Sequence, residues 1–370
     1  MADPLERLTA NLARLATHYD ITGEWPESTL AHLTAADAWA WVIPTAFGGR
    51  GLDAAEQMLA YEAIAAGCMS SLLIITQRDA ACEYIAASEN PAKADLLPKL
   101  ARHELMTTVG ISQVTTSRQG VRPALTARPN NGGYVLNGFM PWVTAAVKSD
   151  FLVTAAVVEQ ESKTTGPAKD AQQILAMLPC KAKGVTIDRP LQLMALESSL
   201  TSEVHCKNVK IDAGLVLNGP APHVVSTGRS TVKPLVVAVS GIGLAKAIVK
   251  HIHAYAAREK GPLADLAEEL EFRCEAVRDR LYRFVPQSDP AQEEVPKTEL
   301  RIAVNDLLMR LVVAIMTLGK GSGFVRQMEA QRLVREALFF LVWSAPEDVR
   351  VGTLAGFLNE TEPTIKTMTY

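Results

Sequence analysis

The apolar residues of this chain change period twice, and no other feature restricts its fold so tightly. From residue 5 to about 102 the period is helical: Leu5, Leu8, Leu12 and Leu15 share one stripe, and Ala/Leu-rich stretches cover 28–39, 54–66 and 70–87. Pro26, Pro44, Gly48-Gly49 and Pro91 punctuate them. The middle is short and β-rich, with candidate strands at 134–136, 151–158, 174–178 and 204–211, each bounded by turn residues. Asn130-Asn131-Gly132-Gly133 ahead of Tyr134 is a hairpin signal, and 159–170 reads as a polar, exposed loop.

From about residue 232 helical periodicity returns in longer stripes. One runs through Leu235, Val239, Ile242, Ala245, Val249 and Ile252, another through Leu300, Ala303, Leu307, Leu311, Ala314 and Leu318. Helices this apolar must be covered on several sides, in a bundle or at a subunit interface. Gly241 and Gly243 follow no strand and lack the third glycine of a dinucleotide loop, so they predict close helix packing. His251 and His253 lie two apart, point to different faces and share no metal.

Composition narrows the function. A length of 370 residues suits two or three domains or one large one. With 48% hydrophobic and 21% charged residues, disorder is excluded. Lys+Arg of 37 against Asp+Glu of 40 leaves a net charge of -3, without the basic excess of a nucleic-acid binder. The five cysteines (Cys68, Cys82, Cys180, Cys206, Cys274) show no CxxC or metal-ligand spacing, so reduced thiols in a cytoplasmic protein are expected. Asp3 and Glu6 interrupt any signal-peptide pattern. The charge-free window 129–147 is broken by Asn-Asn-Gly-Gly and Pro141, so no membrane span is expected there.

Five motifs then point to a family. Asn137-Gly138-Phe139-Met140-Pro141-Trp142-Val143-Thr144 resembles the NGxKxWIT stretch of the acyl-CoA dehydrogenase family. Pro44-Thr45-Ala46-Phe47-Gly48-Gly49-Arg50-Gly51-Leu52 is similar to its PxxxGGxGL loop, and Gly110-Ile111-Ser112-Gln113 stands where the family has (A/G)LTE. Arg332-Leu333-Val334-Arg335-Glu336-Ala337 resembles RxxRDA, and Gly319-Lys320-Gly321-Ser322-Gly323 its GGxG turn. They occur in the family's order over residues 5–345.

The resemblance implies an α+β fold: a helical domain at 1–105, a β-domain at 106–215 and a helical bundle at 216–370. It implies FAD between the β-domain and the bundle, an acyl-CoA or related thioester as substrate, and a homodimer or homotetramer. Trp142 would lie against the flavin ring and the Thr144 hydroxyl would donate to N5. Ile111 and Ser112 would meet the pyrimidine edge, Ser117 the pyrophosphate, and Gly319 and Gly321 the adenosine half of a flavin held by a neighbouring subunit. The implied reaction is α,β-dehydrogenation, in which a carboxylate removes the Cα proton.

That carboxylate is missing from both of its usual places. Seven residues beyond Ala337 stands Ser344, and the alternative stretch 230–234 holds no acid. Glu347 and Asp348 are the nearest acids, and both also suit the first turn of a helix after Pro346. Met140 replaces the motif's Lys, Gln113 replaces its Glu, Arg118-Gln119 replaces Ser-Asp, and RxxFG is reduced to Arg258-Glu259-Lys260-Gly261. Three functions therefore stay open: thioester dehydrogenation with a non-standard base, flavin-dependent oxidation or monooxygenation, or an inactive scaffold.

Overall fold

Asp3 accepts a hydrogen bond from the Leu5 amide and Pro4 opens helix α1 (Pro4–Thr22), which ends on Gly23 in the left-handed conformation. Helices α2 (Glu27–Ala35), α3 (Ala54–Gly67), α4 (Met69–Ala87) and α5 (Lys93–Ala101) complete the first part. A capping box between Asp53 and Glu56 starts α3. The computed structural model describes residues 3–115, 123–159, 171–226, 235–258, 262–284 and 296–358. The 159–170 loop expected from the sequence lies, past Glu159, outside them.

The middle is one sheet, joined by the short helix α6 (Ser112–Thr115). Its strands are β1 (Thr107–Gly110), β2 (Leu125–Asn130), β3 (Gly133–Val143), β4 (Phe151–Val158), β5 (Gln173–Pro179), β6 (Val185–Ile187), β7 (Ser202–Ile211) and β8 (Val216–Ala221). They run in the order β6-β7-β3-β2-β4-β5-β8, with β1 parallel to the start of β4. β2 and β3 form the expected hairpin, closed by Asn131 and Gly132 at φ 41° and 82°, which match a two-residue primed turn. β8 pairs with β5, so the sheet runs past residue 215 to Ala221.

β4 reads as an unbroken apolar run because both its faces are covered. Val153 and Ala155 pack with Ile85 of α4 and Leu97 of α5, whereas Leu152 and Ala156 join Leu125, Leu136 and Val204 on the other side. The sheet is thus fixed to the N-terminal helices, which sets the wall of the cleft described below.

The last part comprises α7 (Val236–Ala256), α8 (Pro262–Tyr282), α9 (Lys297–Gly319), α10 (Glu329–Phe339) and α11 (Glu347–Leu358). It shares one core with the first: Leu12, Ile64 and Leu72 are continuous with Ile242, Leu308 and Phe340. The two glycines of α7 permit this. A Cβ on Gly243 would sit 2.3 Å from the Glu62 carbonyl oxygen, and one on Gly241 2.3 Å from Val304 Cγ1. The buried Glu62 carboxylate ties the parts together, accepting from Lys246 Nζ (3.0 Å), Arg278 Nε (2.9 Å) and Tyr282 Oη (2.6 Å). His251 pairs with Glu329 and His253 with Glu271, on different sides of α7 as the spacing predicts.

Two stretches, Val236–Ala256 and Lys297–Phe324, are long and apolar enough to cross a membrane by length and composition alone. The first is 61% buried and packs on α3, α8 and α9, which is how a core helix looks.

Candidate active site

The 490 Å³ cavity of interest opens where the end of β3, the start of α6 and the helices α4 and α10 meet. β3 loses register with β7 between Met140 and Val143, and this irregularity sets Trp142 outward. Its indole lines the cavity and is 52% exposed. Thr144, just beyond the strand, is buried but also lines it. Its Oγ1 lies 3.3 Å from Thr201 Oγ1, which is 2.9 Å from Ser199 Oγ, so three hydroxyls form a chain behind the wall. Ser112 Oγ reaches the same cavity, buried and without a hydrogen-bond partner.

The opposite wall is helical. Arg335, Leu338 and Phe339 of α10 line it at helical spacing, followed by Val342, Trp343 and Ser344. Arg335 ties α10 to α1 by gripping both carboxylate oxygens of Asp20, and within α10 Arg332 lies 2.8 Å from Glu329 and from Glu336. Burial raises the Glu336 carboxyl above its usual range even beside Arg332. The end of α10 is fixed by Arg301 of α9, whose Nη2 donates to the carbonyls of Phe340 and Trp343 (3.0 Å to the latter). Burial depresses this guanidinium's pKa, although the helix-end carbonyls it binds favour a cation there.

Trp142, Thr144, Ser112 and Ser344 converge on the cavity. Ser344 is held at φ 45°. Ile111 is half-buried against the core between sheet and helices and does not line it. Gly319 ends α9 beside the Tyr255 ring, and Gly321 follows with open space around it; neither lines the cavity. Glu347 and Asp348 occupy the exposed first turn of α11. Asp348 accepts from the Thr298 hydroxyl, which holds its carboxyl below the usual range, and neither acid lines the cavity. Ser117, Arg118-Gln119 and the stretch 230–234 lie outside the described residues.

Among the described lining residues none is a carboxylate, and the one ionised group, Arg335, is committed to Asp20. Sequence reasoning passed over Gln77, Thr201 and Arg335 itself. Thr201 is recognisable only from the pairing of β3 with β7, but Gln77 leaves a trace as a polar residue one turn after Leu73 in an apolar helix.

A cleft between a helix-backed sheet and a helical bundle defines the class as the fold of the acyl-CoA dehydrogenases and related flavoenzymes. Residues 6–104 match the acyl-CoA dehydrogenase N-terminal domain family. A probable acyl-CoA dehydrogenase of Bacillus subtilis, YngJ, is 23% identical over 363 residues, covering 92% of this chain and 91% of that protein. The structure superposes on butyryl-CoA dehydrogenase from Megasphaera elsdenii with a TM-score of 0.80 at 17% identity, covering 97% of this chain and 98% of that one. A dibenzothiophene monooxygenase from Paenibacillus matches at 0.76 and 15% identity, covering 98% of each chain. The chain thus has the acyl-CoA dehydrogenase fold and resembles that family at about 20% identity along its length, most clearly in its N-terminal domain.

FAD is the cofactor this likeness implies, and the residues present fit it. A half-exposed indole gives a flat apolar face, the partnerless Ser112 hydroxyl gives a hydrogen-bonding group, and the cavity volume is in the range of cofactor and ligand sites. When bound, FAD supplies a two-electron acceptor.

Proposed function

We propose that this chain is an FAD-dependent oxidoreductase that seats an acyl thioester between the Trp142–Thr144 wall and α10. The observation that carries this reading is the convergence of Trp142, Thr144 and Ser112 on one cavity whose far wall, Leu338 to Trp343, is apolar. In this arrangement Trp142 covers the ring, the Thr144–Thr201–Ser199 hydroxyls supply hydrogen bonds at its edge, and Phe339 and Val342 exclude water from the acyl group. Ser344 occupies the rim where the motif places the glutamate, and a serine hydroxyl is too weak a base to take a thioester α-proton. Dehydrogenation by this cavity is therefore slow unless an acid from elsewhere enters it. The exposed apolar side chains Phe324, Val351, Leu354 and Phe357 on the bundle support self-association as a homodimer or homotetramer.

A second reading, flavin-dependent oxidation or monooxygenation, is favoured by the carboxylate-free lining, because such chemistry does not require α-proton removal. The fold shared with a monooxygenase is in keeping with it. Anaerobic addition of acyl-CoAs of varied chain length to the FAD-loaded protein separates the two. Bleaching of the flavin absorbance supports thioester dehydrogenation; oxygen uptake by the reduced protein without any bleaching supports the second reading. A protein that stays colourless after incubation with FAD would leave the inactive scaffold.

A further inference from the structure

Gln77 is, like Ser112, a polar side chain of the cavity with no hydrogen-bond partner among the described residues, and it is the one that sits on the helix facing the acyl wall. It lies one turn beyond Leu73 on α4, and both line the cavity. Its polar neighbours on the helix are engaged: Thr76 Oγ1 donates to the Leu72 carbonyl (2.8 Å), Arg78 donates to Asp79 (2.8 Å) and to the Leu100 carbonyl (2.7 Å), and Asp79 accepts from Tyr61 (2.7 Å). The half-buried Gln77 carboxamide has no partner among the described residues, and it shares the chamber with Leu338, Phe339 and Val342.

We infer that Gln77 selects substrates whose chain, beyond the reacting carbons, carries an uncharged hydrogen-bonding group: a hydroxyl, keto or amide function. This rests on the thioester reading above. A carboxamide offers two donors and an acceptor, which water satisfies while the cavity is open. A ligand that fills the cavity expels that water. A plain alkyl chain then strands the amide, whereas a hydroxyl or carbonyl replaces the lost hydrogen bonds. Charge restricts the group further. Both terminal nitrogens of Arg335 are held by Asp20, so among the described lining residues no free cation awaits a carboxylate tail and no carboxylate awaits an ammonium.

Three five-carbon thioesters test this: pentanoyl-CoA, 5-hydroxypentanoyl-CoA and glutaryl-CoA, titrated calorimetrically into the FAD-loaded full chain without oxygen. The wild type is expected to bind the hydroxy ligand on the order of tenfold tighter than either of the others. Gln77→Leu should erase that preference by tightening pentanoyl-CoA, and Gln77→Met provides a second apolar variant should the first fold poorly. Equal binding of the hydroxy and alkyl ligands by the wild type overturns the assignment, as does tighter binding of glutaryl-CoA or a preference that survives in both variants. If none of the three binds, the thioester reading itself fails and takes this inference with it.

Discussion

Two departures from the family pattern, Gln113 for Glu and Met140 for Lys, meet in one buried cluster, and this has a measurable consequence. Gln113 Nε2 donates to the carbonyls of Gly110 and Ala155, both at 2.9 Å, and lies 3.4 Å from Thr154 Oγ1. Thr154 Oγ1 in turn lies 2.7 Å from the Gly110 carbonyl oxygen and 3.1 Å from Met140 Sδ. All three side chains are buried. Gln113→Glu sets carboxylate oxygens against two carbonyl oxygens, with no cation among the described hydrogen-bond partners of Gln113, Thr154 and Met140. Losing two hydrogen bonds at about 1 kcal/mol each and burying an unpaired charge should cost about 3 kcal/mol or more at neutral pH. Burial would raise the new carboxyl's pKa in the folded state. The charge penalty is therefore absent below the unfolded value of about 4.3 and grows as pH rises toward the folded one. Adding Met140→Lys supplies the missing cation and should recover most of the loss. Urea unfolding of wild type, both single variants and the double variant gives the cycle, with an expected coupling of about 2 kcal/mol. A Gln113→Glu loss under about 1 kcal/mol, or strictly additive variants, would refute the idea that these positions exchange as a pair.

Other perturbations follow from the cavity and the core. Ser344→Glu returns a carboxylate to the rim and should speed thioester-driven flavin bleaching by about 100-fold in anaerobic stopped-flow, the usual contribution of a positioned base; an unchanged rate would mean this position does not face Cα. Trp142→Ala removes a side chain that is already 52% exposed, so stability without FAD should shift by no more than about 0.5 kcal/mol while FAD affinity falls. A fluorescence titration that finds FAD affinity intact would remove Trp142 from the site. Glu62→Gln leaves Arg278 without its carboxylate, and a urea midpoint reporting a loss of about 2 kcal/mol is expected, discounted because Arg278 and Lys246 stay partly solvated. No loss would mean that this contact does not tie α3 to α7 and α8.

Period and turn chemistry made the frame legible. The stripe of α7 stands out because it is buried along its length, that of α9 because Leu300, Leu307 and Leu311 are buried with half-buried residues between, and 151–158 because β4 is covered on both faces. The short strands β1, β6 and β8 were not foreseen: four, three and six residues are too few to display a period, and long-range pairing makes them strands. The site was legible where a motif preserves a residue's place, as with Trp142 and Thr144. It was illegible where side chains meet only through folding, as with Thr201 behind Thr144 or Asp20 against Arg335.

The same distinction bears on the missing base. A scan for acids near Ser344 finds Glu347 and Asp348, yet the chain turns into α11 there and directs both to a helix start, where Asp348 is held by Thr298. Nearness in sequence did not become nearness in space because Arg301 binds the Phe340 and Trp343 carbonyls and so fixes where α10 stops. Moving either acid into the cavity would mean unwinding that turn and leaving a buried cation and two carbonyls without partners, a cost of several kcal/mol. The folded chain thus resists rescue of the base by local rearrangement. Among the described residues none supplies a carboxylate for dehydrogenation, so it has to come by substitution at Ser344, from the substrate, from another chain or from a segment outside them.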